Sequence, residues 1–272
     1  MKNLIVASLT AFLAACGPAY EANFTGLNLG CCIVRDTLHT PSGQPMQKGI
    51  SGLAGEIARL NPGSGTLQME AKAPKGTVAG SGVASTIGVY STQLSFGPND
   101  PGEGAYAITA TFRAPTRAQT DNPWSLLLIM RDPQSAADDL NGPRMQLSLR
   151  TVGMGAARDV EFRVQEMPDP ANPSAPTTKL GTPIKLVGTP ALVDIDAGNP
   201  FKMSLIINRH QGKGWAVLST PSDNKEIPEF TMNLFTNKPT DPIIHTVGAA
   251  LANTDPDNTA SVEISHFEIL TN

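Results

Sequence analysis

Tyr106-Ala-Ile-Thr-Ala-Thr-Phe-Arg113 is the stretch that decides the fold class. Tyr106, Ile108, Ala110 and Phe112 share one parity, and Thr109, Thr111 and Arg113 share the other. Successive side chains of an extended chain point to opposite faces, so this reads as a strand with one face on a core. The same alternation sets Met145, Leu147 and Leu149 against Arg144, Gln146, Ser148 and Arg150. It sets Val160, Phe162 and Val164 against Glu161, Arg163 and Gln165, and returns in Phe201, Met203, Leu205 and Ile207. Trp124-Ser-Leu-Leu-Leu-Ile-Met130 does not alternate; an unbroken apolar run of that length predicts a central strand covered on both sides.

Outward from these strands, turn-forming residues punctuate the chain at Pro98–Gly102, Gly212–Gly214 and Asp255–Asn258. The Pro-rich stretch from Pro168 to Pro183 predicts a long surface loop. Residues 17–62 are the least regular, and Leu53, Ile57 and Leu60 after Ser51 have the spacing of one short helix. The 272 residues include 25 Gly and 23 Pro, as expected of many short strands joined by turns. About a dozen strands, no long helix and no fixed-period repeat predict an all-β protein of two packed antiparallel sheets.

The first residues read differently. Lys2 supplies one positive charge, and Leu4 to Ala15 is apolar except for Ser8 and Thr10. A helix that crosses a membrane needs about 20 apolar residues, so this length fits a signal peptide instead. Leu13-Ala-Ala-Cys16 resembles the lipobox of bacterial lipoproteins. That resemblance implies cleavage before Cys16, acylation of its thiol and a stable membrane anchor through several acyl chains. Gly17 after the cysteine implies the outer membrane in a cell that has one. The expected organisation is a signal over 1–15, a lipidated tether and irregular segment over 16–62, and a sandwich over 63–272. Removing residues 1–15 takes away only Lys2, leaving 19 basic against 24 acidic residues, a balance of −5. A mildly acidic chain without a basic run gives no electrostatic footprint for nucleic acid.

Cys31 and Cys32 are the other thiols. Adjacent Cα atoms lie about 3.8 Å apart, short of the usual disulfide span, so a bond between them would be strained. Two small buried side chains, an intermolecular disulfide and a thiol metal site are the open readings, the last without a CxxC or His/Cys spacing to support it.

Phe201-Lys-Met-Ser-Leu-Ile-Ile-Asn208, Gly212-Lys-Gly-Trp-Ala-Val-Leu218, Thr246–Leu251 and Ser261–Ile269 together resemble the concanavalin A-like lectin/glucanase jelly roll, also used by laminin G-like domains. The resemblance is one of pattern over roughly residues 64–272. Glucanases of that fold carry Glu-x-Asp-x-x-Glu on one strand, and a retaining pair needs about 5–5.5 Å between its carboxyls. The nearest approach is Glu263-Ile-Ser-His-Phe-Glu268, with Ser265 where the motif has Asp. Five-residue spacing puts Glu263 and Glu268 on opposite faces of a regular strand, but the apolar phase shifts between Ile264 and Phe267, which predicts a bulge. Glu161 and Glu166 lie farther from any motif. The related polysaccharide lyases use a Gln-x-His, and Ile243-Ile-His245 lacks the Gln. His210 belongs to a hairpin turn, and His39 to the irregular segment.

Aromatic residues make up only 5%, which counts against a face of rings for stacking on sugars. Trp215 follows a glycine turn and is the candidate ligand contact, with the core as its other placement; Trp124 is assigned to the core. Asn99-Asp100 and the turn holding Asp255 and Asp257 are candidate calcium sites, although such residues favour turns for local reasons too. These residues together favour an envelope-tethered, non-catalytic binding or structural module for a glycan or a partner protein. A carbohydrate-active enzyme with a divergent site, glycoside hydrolase or polysaccharide lyase, is the alternative. An assembly factor offering a sheet edge is a third class.

Overall fold

The computed structural model describes residues 17–22, 38–39, 45–52, 56–61, 66–71, 84–94, 105–131, 143–153, 158–168, 177–236, 243–253 and 257–271. In chain order the strands begin with β1 (Gly17–Ala22), β2 (Leu38–His39), β3 (Pro45–Gly52), β4 (Glu56–Asn61), β5 (Thr66–Ala71) and β6 (Ala84–Leu94). They continue with β7 (Ala105–Arg113), β8 (Trp124–Arg131), β9 (Arg144–Val152), β10 (Asp159–Met167) and β11 (Thr178–Lys185). Helix α1 (Pro190–Asp196) precedes β12 (Phe201–Asn208), β13 (Lys213–Ser219), β14 (Asn224–Thr231), β15 (Ile243–Asn253) and β16 (Ala260–Thr271).

These strands form two antiparallel sheets. The first runs β14-β13-β12-β7-β16-β5-β4, with β1 also paired to β16. The second runs β11-β10-β9-β8-β15-β6-β3-β2. The first half of β16 pairs with β5 and its second half with β1, so two short strands share one flank of a long one. The inward parity of each strand meets the other sheet. Tyr106, Ile108, Phe112, Met203, Leu205 and Phe267 from the first sheet pack on Leu126, Leu128, Leu147, Phe162, Val164 and Val247 from the second.

Alternation places the strands as expected, and β8 is central in its sheet with β15 and β9 on either side. Several details differ. Part of the segment expected to be an irregular tether is strand, and Ile57 and Leu60 lie on β4 rather than a helix. Six register pairs from Glu56–Ala71 to Asn61–Thr66 tie β4 to β5, and that hairpin ladder overrides the helical spacing. The loop expected from Pro168 to Pro183 ends early, because β11 includes Pro183. Proline is tolerated there because β11 is an edge strand, and the register slips between Phe162 and Val164 beside it. Helix α1 was not expected. Thr189 caps it, its hydroxyl accepting from Leu192 N at 3.4 Å, and Pro190 opens its first turn. Asp196 at its end binds Arg117 at 2.8 Å and the buried Arg158 at 2.9 Å, which fastens the helix to the strand-end turn at 116–120.

The β12–β13 hairpin needs its glycines. Gly212 has φ 63°, a conformation most side chains avoid. A Cβ on Gly214 would stand 2.5 Å from the Phe230 ring, so β14 packs on bare backbone at that point.

Candidate functional site

The two outward faces carry the chemistry. On the first sheet the register aligns Trp215, Ile206, Ala107 and Leu270 in one row across four strands. The next row is Val217, Ser204, Thr109 and Glu268, and the next Ser219, Lys202, Thr111 and His266. Trp215 is therefore not core. It is half-buried on the outward face, while its neighbours Ala216 and Leu218 point inward. The small floor residues beside it, Ala107, Thr109 and Ser204, are nearly inaccessible, and Thr109 Oγ1 donates to Ser204 Oγ at 3.1 Å.

The bulge expected in β16 is present: the register with β7 shifts between Ile264 and His266. It returns Glu263 and Glu268 to the same outward face, as required for a pair. It does not bring them together. Glu263 lies opposite Arg113 and Glu268 opposite Thr109, four residues apart on β7, which is about 13 Å at strand rise. Inverting and retaining enzymes hold their carboxyl groups ~9.5 Å apart or less, and these two side chains start from backbone positions farther apart than that. Each glutamate is also engaged separately, Glu263 with Arg113 at 3.8 Å and Glu268 with His266 at 3.0 Å and Lys202 at 3.9 Å. The hydrogen bond from His266 holds the Glu268 carboxyl below its ordinary range, and Lys202 adds to the effect against a burial that opposes it.

His245 points into the core. It is fully buried, with Nε2 3.2 Å from the Tyr106 hydroxyl on the facing sheet and the two rings edge to face. Burial and then the Arg209 charge push its imidazole down to about 3. Burial pushes the Tyr106 phenol far up, with Arg209 opposing. A histidine so enclosed has no access to a polysaccharide, which removes it from a lyase site. Asp194 is likewise structural. Burial on its own would raise its carboxyl, but bonds from the Ser222 backbone at 2.8 Å, and from Asn199, Thr220 and the Ser222 hydroxyl, hold it low.

Glu166 points inward at the strand end and accepts from the backbone N–H of Asn233 at 2.7 Å and Leu234 at 2.8 Å. It thereby fixes the turn in which Phe235 adopts φ 63°. Asp257 is exposed, and no group of three or more His, Cys, Asp or Glu gathers in metal-binding fashion among the described residues. His210 is exposed in the β12–β13 turn. Cys16, Cys31, Cys32, Asn99, Asp100 and Asp255 lie outside the described residues.

The outward face of the second sheet was missed from sequence. Its rows are Ala250–Ser125–Arg150–Glu161–Lys185, Gly248–Leu127–Ser148–Arg163, Thr246–Ile129–Gln146–Gln165–Lys179 and Ile244–Arg131–Arg144–Met167. Arg150 Nη2 lies 3.4 Å and Arg163 Nη1 3.5 Å from the same oxygen, Glu161 Oε1. Arg163 Nε donates to Ser148 Oγ at 3.4 Å. Burial, then the neighbouring Arg150, lowers the Arg163 guanidinium below its ordinary value, with Glu161 pulling the other way. The acceptor Gln165 Oε1 and the donor Arg150 Nε on this face are buried without a hydrogen-bonding partner among the described residues. The signal was present in Gln146-x-Ser148-x-Arg150 and Glu161-x-Arg163-x-Gln165, but only the pairing register sets the two triplets side by side.

No protein-family model matches the sequence, and no curated protein matches it. Solved structures do match in fold. The CBM2 module of the evolved Dit of Lactobacillus casei BL23 phage J-1 superposes with a TM-score of 0.55 at 11% identity, covering 94% of this chain and 97% of that one. The endo-1,3-beta-glucanase of Streptomyces sioyaensis gives 0.53 at 11% identity, covering 94% and 96%. The laminarinase catalytic domain of Thermotoga maritima MSB8 gives 0.53 at 9% identity, covering 94% and 98%. At such identities the likeness is one of fold, and the fold is the concanavalin A-like jelly-roll sandwich. Both a module and hydrolases share it, so activity has to be argued from the site.

Proposed function

We propose that this chain is a non-catalytic glycan-binding module, held at the cell envelope by lipid on Cys16, with its ligand on the outward face of the second sheet. The observation that carries the reading is the pair of unmatched atoms there, Gln165 Oε1 and Arg150 Nε. A buried acceptor and a buried donor left unmade each cost about 1–3 kcal/mol, and a sugar hydroxyl both donates and accepts. Glu161 and Arg163 beside them, each part-buried, supply further hydrogen-bonding groups on a rigid strand rather than on loops. Glu263 and Glu268 lie on the other sheet, at backbone positions about 13 Å apart and each held by its own cation, which supports binding over hydrolysis.

Affinity electrophoresis against a panel of soluble polysaccharides tests this. Retardation by at least one glycan is expected, reduced about tenfold or more by Gln165→Ala or Arg150→Ala. Release of reducing ends by the wild type would make the chain an enzyme instead. The anchor is tested separately: a radioactive fatty acid should label the wild type and not Cys16→Ala. Persistence of label in that variant would remove the envelope part of the reading.

A further inference from the structure

The charge on the second face carries the reading further. Arg150 and Arg163 converge on one oxygen of one carboxylate, Glu161. Lys185 stands opposite Glu161 in register on β11, and Lys179 opposite Gln165. Both lysines are exposed, and no carboxylate pairs with either among the described residues. Arg144, half-buried, extends the same face toward the start of β9, while its register partner Arg131 is buried. Asp159, the other acid of this parity, lies at the near end of β10 and turns back to accept from Val160 N at 2.7 Å. In a chain with a net charge of −4, four cations here face one carboxylate at the centre of the set. Lys179 and Lys185 lie opposite Gln165 and Glu161, four residues apart on β10, a span of about 13 Å. A charge field of that length suits an extended polymer rather than a small ion.

We propose that the glycan bound on this face is a polyuronate, a polysaccharide with a carboxylate on its sugar rings. This rests on the glycan reading above. A uronic acid presents a planar carboxylate that the part-exposed Arg150 guanidinium fits, and keeps ring hydroxyls for further hydrogen bonds. An anion here also offsets the burial, and then the Arg150 charge, that lower the Arg163 guanidinium. Nucleic acid fits less well: no outward side chain among the four described rows is aromatic, and single strands depend on stacking.

The test compares polygalacturonate with its carboxyl-reduced form, which has the same backbone without charge. The mature chain is used whole, in mild detergent, by affinity electrophoresis. Polygalacturonate should bind about tenfold or more tighter than the reduced polymer, and raising salt should weaken it steeply. Lys179→Gln with Lys185→Gln should lose about fivefold in affinity with an unchanged melting curve. Equal binding of the two polymers overturns the polyuronate assignment and leaves the glycan reading standing. Failure of both polymers and of every neutral glycan overturns the glycan reading itself. Equal retardation by poly-L-glutamate or by a single-stranded oligonucleotide shows recognition of charge alone and also overturns the assignment.

Discussion

The two outward faces are built by the same alternation, on sheets that share one core, yet they settle their charges differently. On the first sheet three cations of the face each meet a different acid: Arg113 with Glu263, Lys202 with Glu268, Lys213 with Glu229 at 2.6 Å. On the second sheet Arg150 and Arg163 share Glu161, with Lys185 opposite it in register. The first face pairs these charges one to one and covers its sheet with Trp215 and Leu270. The second is left with charge and with unmade hydrogen bonds at Gln165 and Arg150. Function is expected where local interactions are incomplete, because a satisfied surface has little to offer a ligand.

The largest effect expected on stability comes from between the faces. His245 is held neutral with a pKa of about 3 against an ordinary 6.5. Between those values the unfolded chain binds a proton that the folded chain refuses, so stability falls as pH drops below about 6.5. Taking pH from 7 to 4.5 should remove about 3 kcal/mol through this group. Urea midpoints at the two pH values should show the loss, and His245→Gln should lose much less. If the loss survives in His245→Gln and vanishes in Glu263→Gln with Glu268→Gln, the first face and not the core sets the acid response.

The next effect sets the faces directly against each other. Glu161 is 13% exposed, and its removal leaves two guanidiniums together without a counter-charge. Glu161→Gln should cost about 2 kcal/mol. Added polyuronate should restore part of it, since ligand binding stabilises by mass action. A neutral result would mean that the second face is as locally balanced as the first.

Trp215→Ala uncovers Ile206 and Ala107 and should cost about 1.5 kcal/mol, with glycan binding unchanged. Loss of binding with no loss of stability would move the site to the first face. The smallest effect is expected for Glu263→Gln with Glu268→Gln together, below about 1 kcal/mol at pH 7. The Glu268 share is present above the ordinary glutamate range and is lost as pH falls through its lowered folded value.

The sequence made the strands legible where two parities differ strongly in polarity, as in Tyr106–Arg113 and Val160–Gln165. It also made the β16 bulge legible, because Ile264 and Phe267 break parity and both are buried. Helix α1 was readable in Thr189-Pro190, a cap followed by a first-turn proline, but a helix of seven residues leaves little periodicity to notice. The face of Trp215 was not decidable, since Gly214 and Ala216 on its neighbouring parity are too small to mark the core side. The cationic face was invisible for a geometric reason. Basic residues on strands recur every second position and gather across β9, β10 and β11, so no run of like charge appears in the chain.

Edge protection follows the same economy. β11 and β14, the outer strands on one side of each sheet, carry Pro183 and Pro228, lysines and register slips, all of which discourage a further strand from adding. Those edges argue against a factor that donates or receives strands there.

The pairing of β1 with β16 bears on how the envelope would hold this domain. Gly17 follows Cys16 directly and is already in register with Thr271, and the ladder runs on to Ala22 opposite Phe267. Were lipid carried on Cys16, as proposed, the anchor would have no slack. A pull from the membrane would enter at Gly17 and spread along the ladder as shear, instead of straightening a leash. The sandwich would stand on the bilayer by the end of β16, turning only as far as one residue permits.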